Sequence, residues 1–226
     1  MKVLVACEES QRVCIAFRER GHEAYSCDLR ECSGGHPEWH IKQDVIPLLQ
    51  GECEFSTCDG VRHIVPGHWD LIIAHPPCTY LTVTGNSWFN VEKYGSKAIE
   101  RFQLRKKAAA FFLEFVNAPC KRICIENPVG VMSSWFDKPS QIVHPYYFSN
   151  GSDDSYFEKR TCLWLFGLPN LHYDLPEKRP DRVSFASGRT MPKWYADAWA
   201  LPASLRAVVR SRTAPALARA MAEQWG

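Results

Sequence analysis

The stretch "WDLIIAHPPC" (69–78) constrains this chain more than any other. Its apolar residues are continuous rather than alternating. That is the pattern of a strand buried on both faces, as in a parallel sheet covered by helices. Pro76 and Pro77 then withdraw two backbone donors and end regular pairing. "KVLVAC" (2–7) repeats the pattern, and "KRICIENP" (121–128) gives another strand that ends at Glu126. "HEAYSCDL" reads as a second strand ending at Asp28, and "HIKQDV" as a short third strand ending near Asp44.

Helical spacing fills the intervals. "SQRVCIAFRER" carries Val13, Ile15, Ala16 and Phe17, with Ser10 as N-cap and Gly21 as stop. Residues 97–117 are the clearest helix. Ala98, Phe102, Ala109, Phe112, Phe115 and Val116 form one apolar stripe, and the cluster Arg105–Lys107 is placed facing away from it. Residues 47–68, with three glycines and Pro66, read as a helix remnant and loop. After residue 128 the alternation weakens. "RTCLWLF" (160–166) reads as a strand, 167–203 as an irregular segment rich in proline and aromatics, and "APALARAMAEQW" as a closing helix. Strands alternating with helices predict an α/β fold with a parallel sheet and right-handed crossovers. The expected division is a main body of 1–166 with 204–226, and a small unit at 167–203.

The ten cysteines are scattered, without the spacing of a disulfide framework. The opening "MKVLVACEES" is too short in its apolar run and too acidic for a secretory leader. No stretch approaches a membrane span. The expectation is therefore a cytoplasmic protein with free thiols. Net charge is +2, but from Glu158 onward 11 lysines and arginines face 6 acids. That bias permits phosphate contact without requiring it.

In open parallel sheets, ligands sit beyond the carboxyl ends of the strands. There the sequence delivers Cys7–Gln11, Asp28, Asp44, the turn Pro76–Cys78, and Glu126 with Asn127. Any one of these acids suits a turn or a helix cap; their recurrence at successive strand ends points to a site. The rigid Pro-Pro turn aims the Cys78 sulfur, whereas Cys14, Cys120, Cys124 and Cys162 suit structural packing. A nucleophilic thiolate needs a lowered pKa. Glu126, arriving from an apolar strand, is expected to have its pKa raised by desolvation and to act as a proton donor. A thiolate and a protonated carboxyl together suit addition to an electron-poor ring such as a pyrimidine. Cys27, Cys32, His36 and His40 are zinc-ligand types, but their spacing is unlike a zinc knuckle, and the alternative reading of "GGHPEWH" is a loop folding over a cofactor.

These motifs resemble those of small DNA (cytosine-5)-methyltransferases of the bacteriophage or prophage kind. "HPPC" resembles the Pro-Cys nucleophile motif of that family and "ENP" its Glu-Asn motif. The first 28 residues resemble its opening strand–helix–strand, "KQDV" its third strand end, "EKRTCLWL" its later arginine-bearing strand, and "SRTAPALARAMAEQWG" its closing helix. The resemblance implies a Rossmann-like sheet with helices on both faces that binds S-adenosylmethionine. It implies methylation at C5 of a cytosine flipped out of double-stranded DNA, in a bacterial cytoplasm if phage-encoded. Cys78 would add to C6, Glu126 would protonate N3, and Arg160 would stabilise O2. The backbone near Ala6, Cys7, Glu8 and Ser10 would cradle the methionine end of the cofactor, Asp28 would accept from its ribose and Asp44 from its adenine amino group, with Pro76 against the ring. Lys178, Arg179, Arg182, Arg189 and Lys193, interleaved with Phe185, Trp194, Tyr195 and Trp199, would meet DNA.

The sequence departs from that family in several places. "ACEESQ" stands where the family has a glycine-rich loop, His75 where glycine is usual, and "CTYL" after the proline pair where it has Cys-Gln-x-Phe-Ser. There is one clear arginine where two are typical, and the recognition segment is short. Two alternatives follow: the same fold acting on RNA or a nucleotide, and a degenerate protein that only binds DNA or a partner. Methylation of an exocyclic amino group fits less well, because Cys78 stands where such enzymes carry an aromatic residue. A thiol hydrolase has no clearly placed histidine base.

Overall fold

A computed structural model describes every residue except Ser152. β1 (Lys2–Ala6), α1 (Arg12–Glu19), β2 (Glu23–Asp28) and β3 (His40–Lys42) come first. A hairpin of β4 (Cys53–Ser56) and β5 (Arg62–Val65) precedes β6 (Leu71–Ala74). α2 (Val91–Tyr94), α3 (Ser96–Val116), β7 (Ile123–Pro128), α4 (Met132–Trp135), β8 (Gln141–Val143) and β9 (Thr161–Phe166) follow. The chain ends with a hairpin of β10 (Arg182–Ser184) and β11 (Thr190–Pro192), then α5 (Lys193–Ala200), α6 (Ala203–Ser211) and α7 (Pro215–Trp225).

Seven strands form one sheet in the order β3-β2-β1-β6-β7-β9-β8. The pairs from β3 to β7 are parallel, and β9 is antiparallel to both β7 and β8. This is an α/β fold of Rossmann-like form. Its central strands alternate between two cores. Leu4, Ile72, Ile125 and Trp164 face the side of α3, with Phe112 and Phe115. Val3, Val5, Leu71, Ile73, Cys124 and Leu163 face the side of α1 and α7, with Phe17, Met221 and Trp225. Each fully buried Leu or Ile side chain contributes about 1.5–3 kcal/mol. After β3 the chain reverses to the other side of β1, so the order switches between β1 and β6. A crevice at that switch is where such sheets hold ligands.

Four expectations from sequence need correction. Residues 47–68 contain the β4–β5 hairpin rather than only a helix remnant and loop; its buried Cys53, Phe55 and Val65 make short alternations that the glycines obscure. The segment 167–203 holds a hairpin and α5, and α6 follows it. Ser10 does not cap α1, because the carboxylate of Glu8 accepts from the amides of Val13 (2.7 Å) and Cys14 (3.2 Å). Arg105 does not face away: it is 6% exposed, donates to the Tyr80 carbonyl (2.7 Å) and Asn86 Oδ1 (2.8 Å), and lies 3.4 Å over the Phe89 ring. It ties the segment following Cys78 to α3, a use that helical periodicity does not reveal. Among the described residues, no helix is long and apolar enough to cross a membrane.

Candidate functional site

Two connections flank the switch point. The first leaves β1 through Cys7–Gln11. Cys7 (φ 60°) and Gln11 (φ 57°) adopt left-handed backbone conformations without being glycine, at a cost of about 1–2 kcal/mol each. The surroundings hold them there. The Glu8 amide donates to the Cys27 carbonyl (3.1 Å), and Gln11 exchanges two hydrogen bonds with the backbone of His36 (2.8 and 3.1 Å). A Cβ on Gly34 would come within 2.6 Å of Gln11 Cβ, so the loop 33–36 presses against this turn. Glu8 is buried, and burial pushes its carboxyl up to about 7, against the opposing pull of His75 and of the Val13 and Cys14 amides.

Cys7, Asp28 and Asp44 converge. Burial raises the Cys7 thiol pKa strongly, and the charges of Asp28 and Asp44 add to the effect. Asp28 Oδ1 accepts from the Arg30 amide (3.0 Å), and Asp44 Oδ1 from the Ile46 amide (3.0 Å). Among the described residues, the second oxygen of each remains uncommitted. Two acceptors at neighbouring strand ends suit a ligand with hydroxyl and amino donors. Glu8 takes up two of the first amides of α1, those of Val13 and Cys14, which are thus closed to any other acceptor.

The second connection leaves β6 through His75, Pro76, Pro77 and Cys78. The Cys78 carbonyl accepts from the amides of Leu81 and Thr82, both at 3.0 Å, which closes the turn. β7 lies beside β6, with Ala74 opposite Ile125, so Glu126 follows directly. Asn127, 2% exposed, donates from Nδ2 to the Pro76 carbonyl (2.7 Å). Past both motifs, Val83 pairs with Val129 and Val131 with Leu81. A Cβ on Gly130 would overlap the Leu81 carbonyl oxygen. Cys78 and Glu126 thus share one end of the sheet and feel each other electrostatically.

Both expected pKa directions reverse. Burial raises the pKa of Glu126, but Lys159 and the bonded His75 outweigh it and hold the carboxyl below its usual range. The Cys78 thiol is pushed up, first by burial and then by Glu126, against Lys159 and Arg210. The resting pair is therefore a carboxylate and a thiol. For Glu126 the sequence reading weighed desolvation alone and missed Lys159 and His75; for Cys78 it expected a lowered value and missed burial and the neighbouring carboxylate.

Strand parity explains which cation arrives. Cys124 and Leu163 face the α1/α7 core. Glu126 stands opposite Leu163, and Pro128 opposite Thr161, so these positions share that face. Counting back by two from Thr161 brings Lys159, not Arg160, to the side of Glu126. Lys159 Nζ donates to the Arg212 carbonyl (3.2 Å). Arg160 is exposed, and its charge is felt by Cys162 and His144 instead. Counting by twos along "EKRTCLWL" is the signal that would have found Lys159. Arg210 had none, because the sequence reading assigned no element to 204–211, where α6 lies.

Of the five basic residues assigned to DNA, Arg182 pairs with the nearly buried Glu158, and Lys193 with Asp197 (2.7 Å). The Lys178 carbonyl accepts from Tyr156 (2.8 Å), and Arg179 lies close enough to influence His144 and Tyr146. Arg189 sits between the strands of the β10–β11 hairpin, where its carbonyl accepts from the Phe185 amide (2.9 Å). The surface is braced by Phe157 stacked on Trp194 at 4.5 Å.

The four zinc-type residues do not come together. His40 is engaged by Ser26 Oγ and the Arg30 carbonyl (2.8 Å each), His36 by Glu38, and Cys27 Sγ by the Gln43 carbonyl. Among the described residues, no group of three or more His, Cys, Asp or Glu is placed to hold a metal ion. The sequence matches no protein-family model, and no curated protein is significantly similar to it.

Proposed function

We propose that this protein transfers a methyl group from S-adenosylmethionine to C5 of cytosine in DNA. The observation that carries the reading is the placement of Cys78 and Glu126 on adjacent strand ends, clasped by the bond from Asn127 to Pro76. The acceptors Asp28 and Asp44 lie across the switch point on the neighbouring strands.

Bound S-adenosylmethionine would supply an electrophilic methyl group. The chain's own residues would make C5 nucleophilic. As Cys78 Sγ adds to C6 the thiol gives up its proton, N3 takes one, and Glu126 accepts the hydrogen bond from the N3–H so formed. Lys159 stabilises the charge that builds on the ring and carboxyl during this step. Arg210 and Lys159 favour the thiolate form of Cys78 as it develops. Asp28 and Asp44 accept from the cofactor's ribose and adenine, and the buried Cys7–Gln11 turn shapes the methionine end. A cytosine reaches Cys78 only by leaving the stack.

The test is incorporation of labelled methyl from S-adenosylmethionine into duplex DNA by wild-type protein and Cys78→Ser. The reading predicts incorporation that the variant loses. Incorporation into RNA alone would move the substrate. No incorporation with intact DNA binding would leave a binding protein.

A further inference from the structure

We infer that Glu9 and Arg212 form a binding site for the α-amino-acid end of the methyl donor, in which Glu9 takes the ammonium group and Arg212 the carboxylate. The inference rests on the reading above and deepens it, by naming how a chain without a glycine-rich loop after β1 would hold that end.

Two oppositely charged side chains face each other here without satisfying each other. Glu9 lies in the turn after β1, and its side chain is 9% exposed. Arg212 lies between α6 and α7, and its side chain is 35% exposed. Arg212 Nε stands 3.7 Å from Glu9 Oε1, too far for a hydrogen bond. That Nε is buried and has no hydrogen-bond partner. Among the described residues, the Glu9 carboxylate accepts no hydrogen bond either. A salt bridge that served folding alone would be expected to close to about 2.7–2.9 Å, the length of a charge-assisted bond. Buried charges are normally paired and hydrogen-bonded. A donor without an acceptor beside an acceptor without a donor therefore points to a third party that supplies both. An α-amino acid does so: its ammonium donates and its carboxylate accepts.

The surroundings fix the two residues at the border of both halves of the site. Arg212 Nη2 donates to Ser33 Oγ (2.9 Å), and the Ser33 amide donates to the Glu9 carbonyl (2.8 Å). The Arg212 carbonyl accepts from Lys159 Nζ (3.2 Å), whose charge reaches Glu126 and Cys78. Cys7 is two residues before Glu9, its Cα within about 7 Å, and it feels Asp28 and Asp44. Glu9 and Arg212 thus adjoin both the acceptors proposed for the nucleoside and the sulfur proposed for the base. The helix terminus nearby is partly closed, because Glu8 occupies the Val13 and Cys14 amides. A guanidinium with an unpaired Nε offers a carboxylate a charged donor instead.

The test is titration calorimetry on the full chain with two probes. S-adenosylhomocysteine carries adenosine and the amino-acid end; 5′-methylthioadenosine carries adenosine without it. Wild type should bind S-adenosylhomocysteine at least about tenfold more tightly. Arg212→Met and Glu9→Gln should each lose about that factor for S-adenosylhomocysteine, while 5′-methylthioadenosine stays within about threefold of wild type. Equal affinity of wild type for the two probes would overturn the inference. So would variants that bind both probes as wild type does, or that lose both alike. Should these variants fail to fold, Arg212→Lys keeps the charge, gives up Nε, and should still lose S-adenosylhomocysteine selectively; an unchanged ratio in it would overturn the inference. Wild type that binds neither probe would instead overturn the S-adenosylmethionine reading, and the inference with it.

Discussion

The side chain of Asn127 donates from Nδ2 to the Pro76 carbonyl across 2.7 Å, joining the turn that carries Cys78 to the strand that carries Glu126. Both partners belong to short motifs some fifty residues apart, and this bond fixes their relative position. Asn127→Ala should cost about 1–3 kcal/mol of stability, because it strands a buried carbonyl. It should also slow methyl transfer by up to about 100-fold, the scale expected for a 1 Å misplacement. Thermal melting and initial rates check the two separately.

Glu126 raises the Cys78 pKa through space. Removing its charge should therefore make the thiol more reactive, even as it disables the proposed chemistry. In Glu126→Gln, Cys78 should be alkylated by iodoacetamide faster than in wild type at pH 8, read by peptide mass spectrometry. In Lys159→Met the same reaction should slow, because a cation that lowers the Cys78 pKa is gone.

Lys159 and Arg160 are adjacent in sequence, yet the charge of Lys159 reaches Glu126 and Cys78 whereas that of Arg160 reaches Cys162 and His144. Lys159→Met should reduce methyl transfer by roughly 10- to 100-fold, somewhat less than loss of a preorganised oxyanion donor. Arg160→Met should leave the rate within about threefold, since an exposed charge away from the reacting ring contributes little. Equal losses would show that parity does not select the working cation.

Glu8 gives a pH dependence of stability. Its folded pKa of about 7 lies above the ordinary carboxyl value, so the folded chain binds the proton more tightly than the unfolded chain. Stability from this group is full at acidic pH and is lost as pH rises from about 4.5 through 7. The shift corresponds to about 3 kcal/mol. Glu8→Gln should remove that decline, so denaturant midpoints of wild type and variant should diverge between about pH 4.5 and 7 and stay apart above it.

Much of the central sheet was legible because its strands are continuous apolar runs and α3 carries a long apolar stripe. The carbons of Leu71–Ala74 and Ile123–Ile125 announce their own burial. Several short peripheral elements were not legible. β4 and β8 are three or four residues long, too short for periodicity, and α6 leaves Leu205 and Val209 exposed. At the site, the positions of Cys78 and Glu126 followed from Pro-Cys and Glu-Asn at strand ends. Their protonation states did not, because those depend on Lys159, Arg210 and His75, which only the fold brings near. The dual role of Glu8, as cap of α1 and as buried acid, was likewise invisible from a turn sequence alone.

The central claim is that the Cys78 sulfur adds to a cytosine ring. Its most direct measurement is incubation with duplex DNA containing 5-fluorocytosine and S-adenosylmethionine, followed by denaturing electrophoresis and peptide mass spectrometry. The account predicts a denaturation-resistant protein–DNA adduct mapped to Cys78 and lost in Cys78→Ser. Wild-type protein that binds this DNA and the cofactor yet never forms the adduct would contradict it.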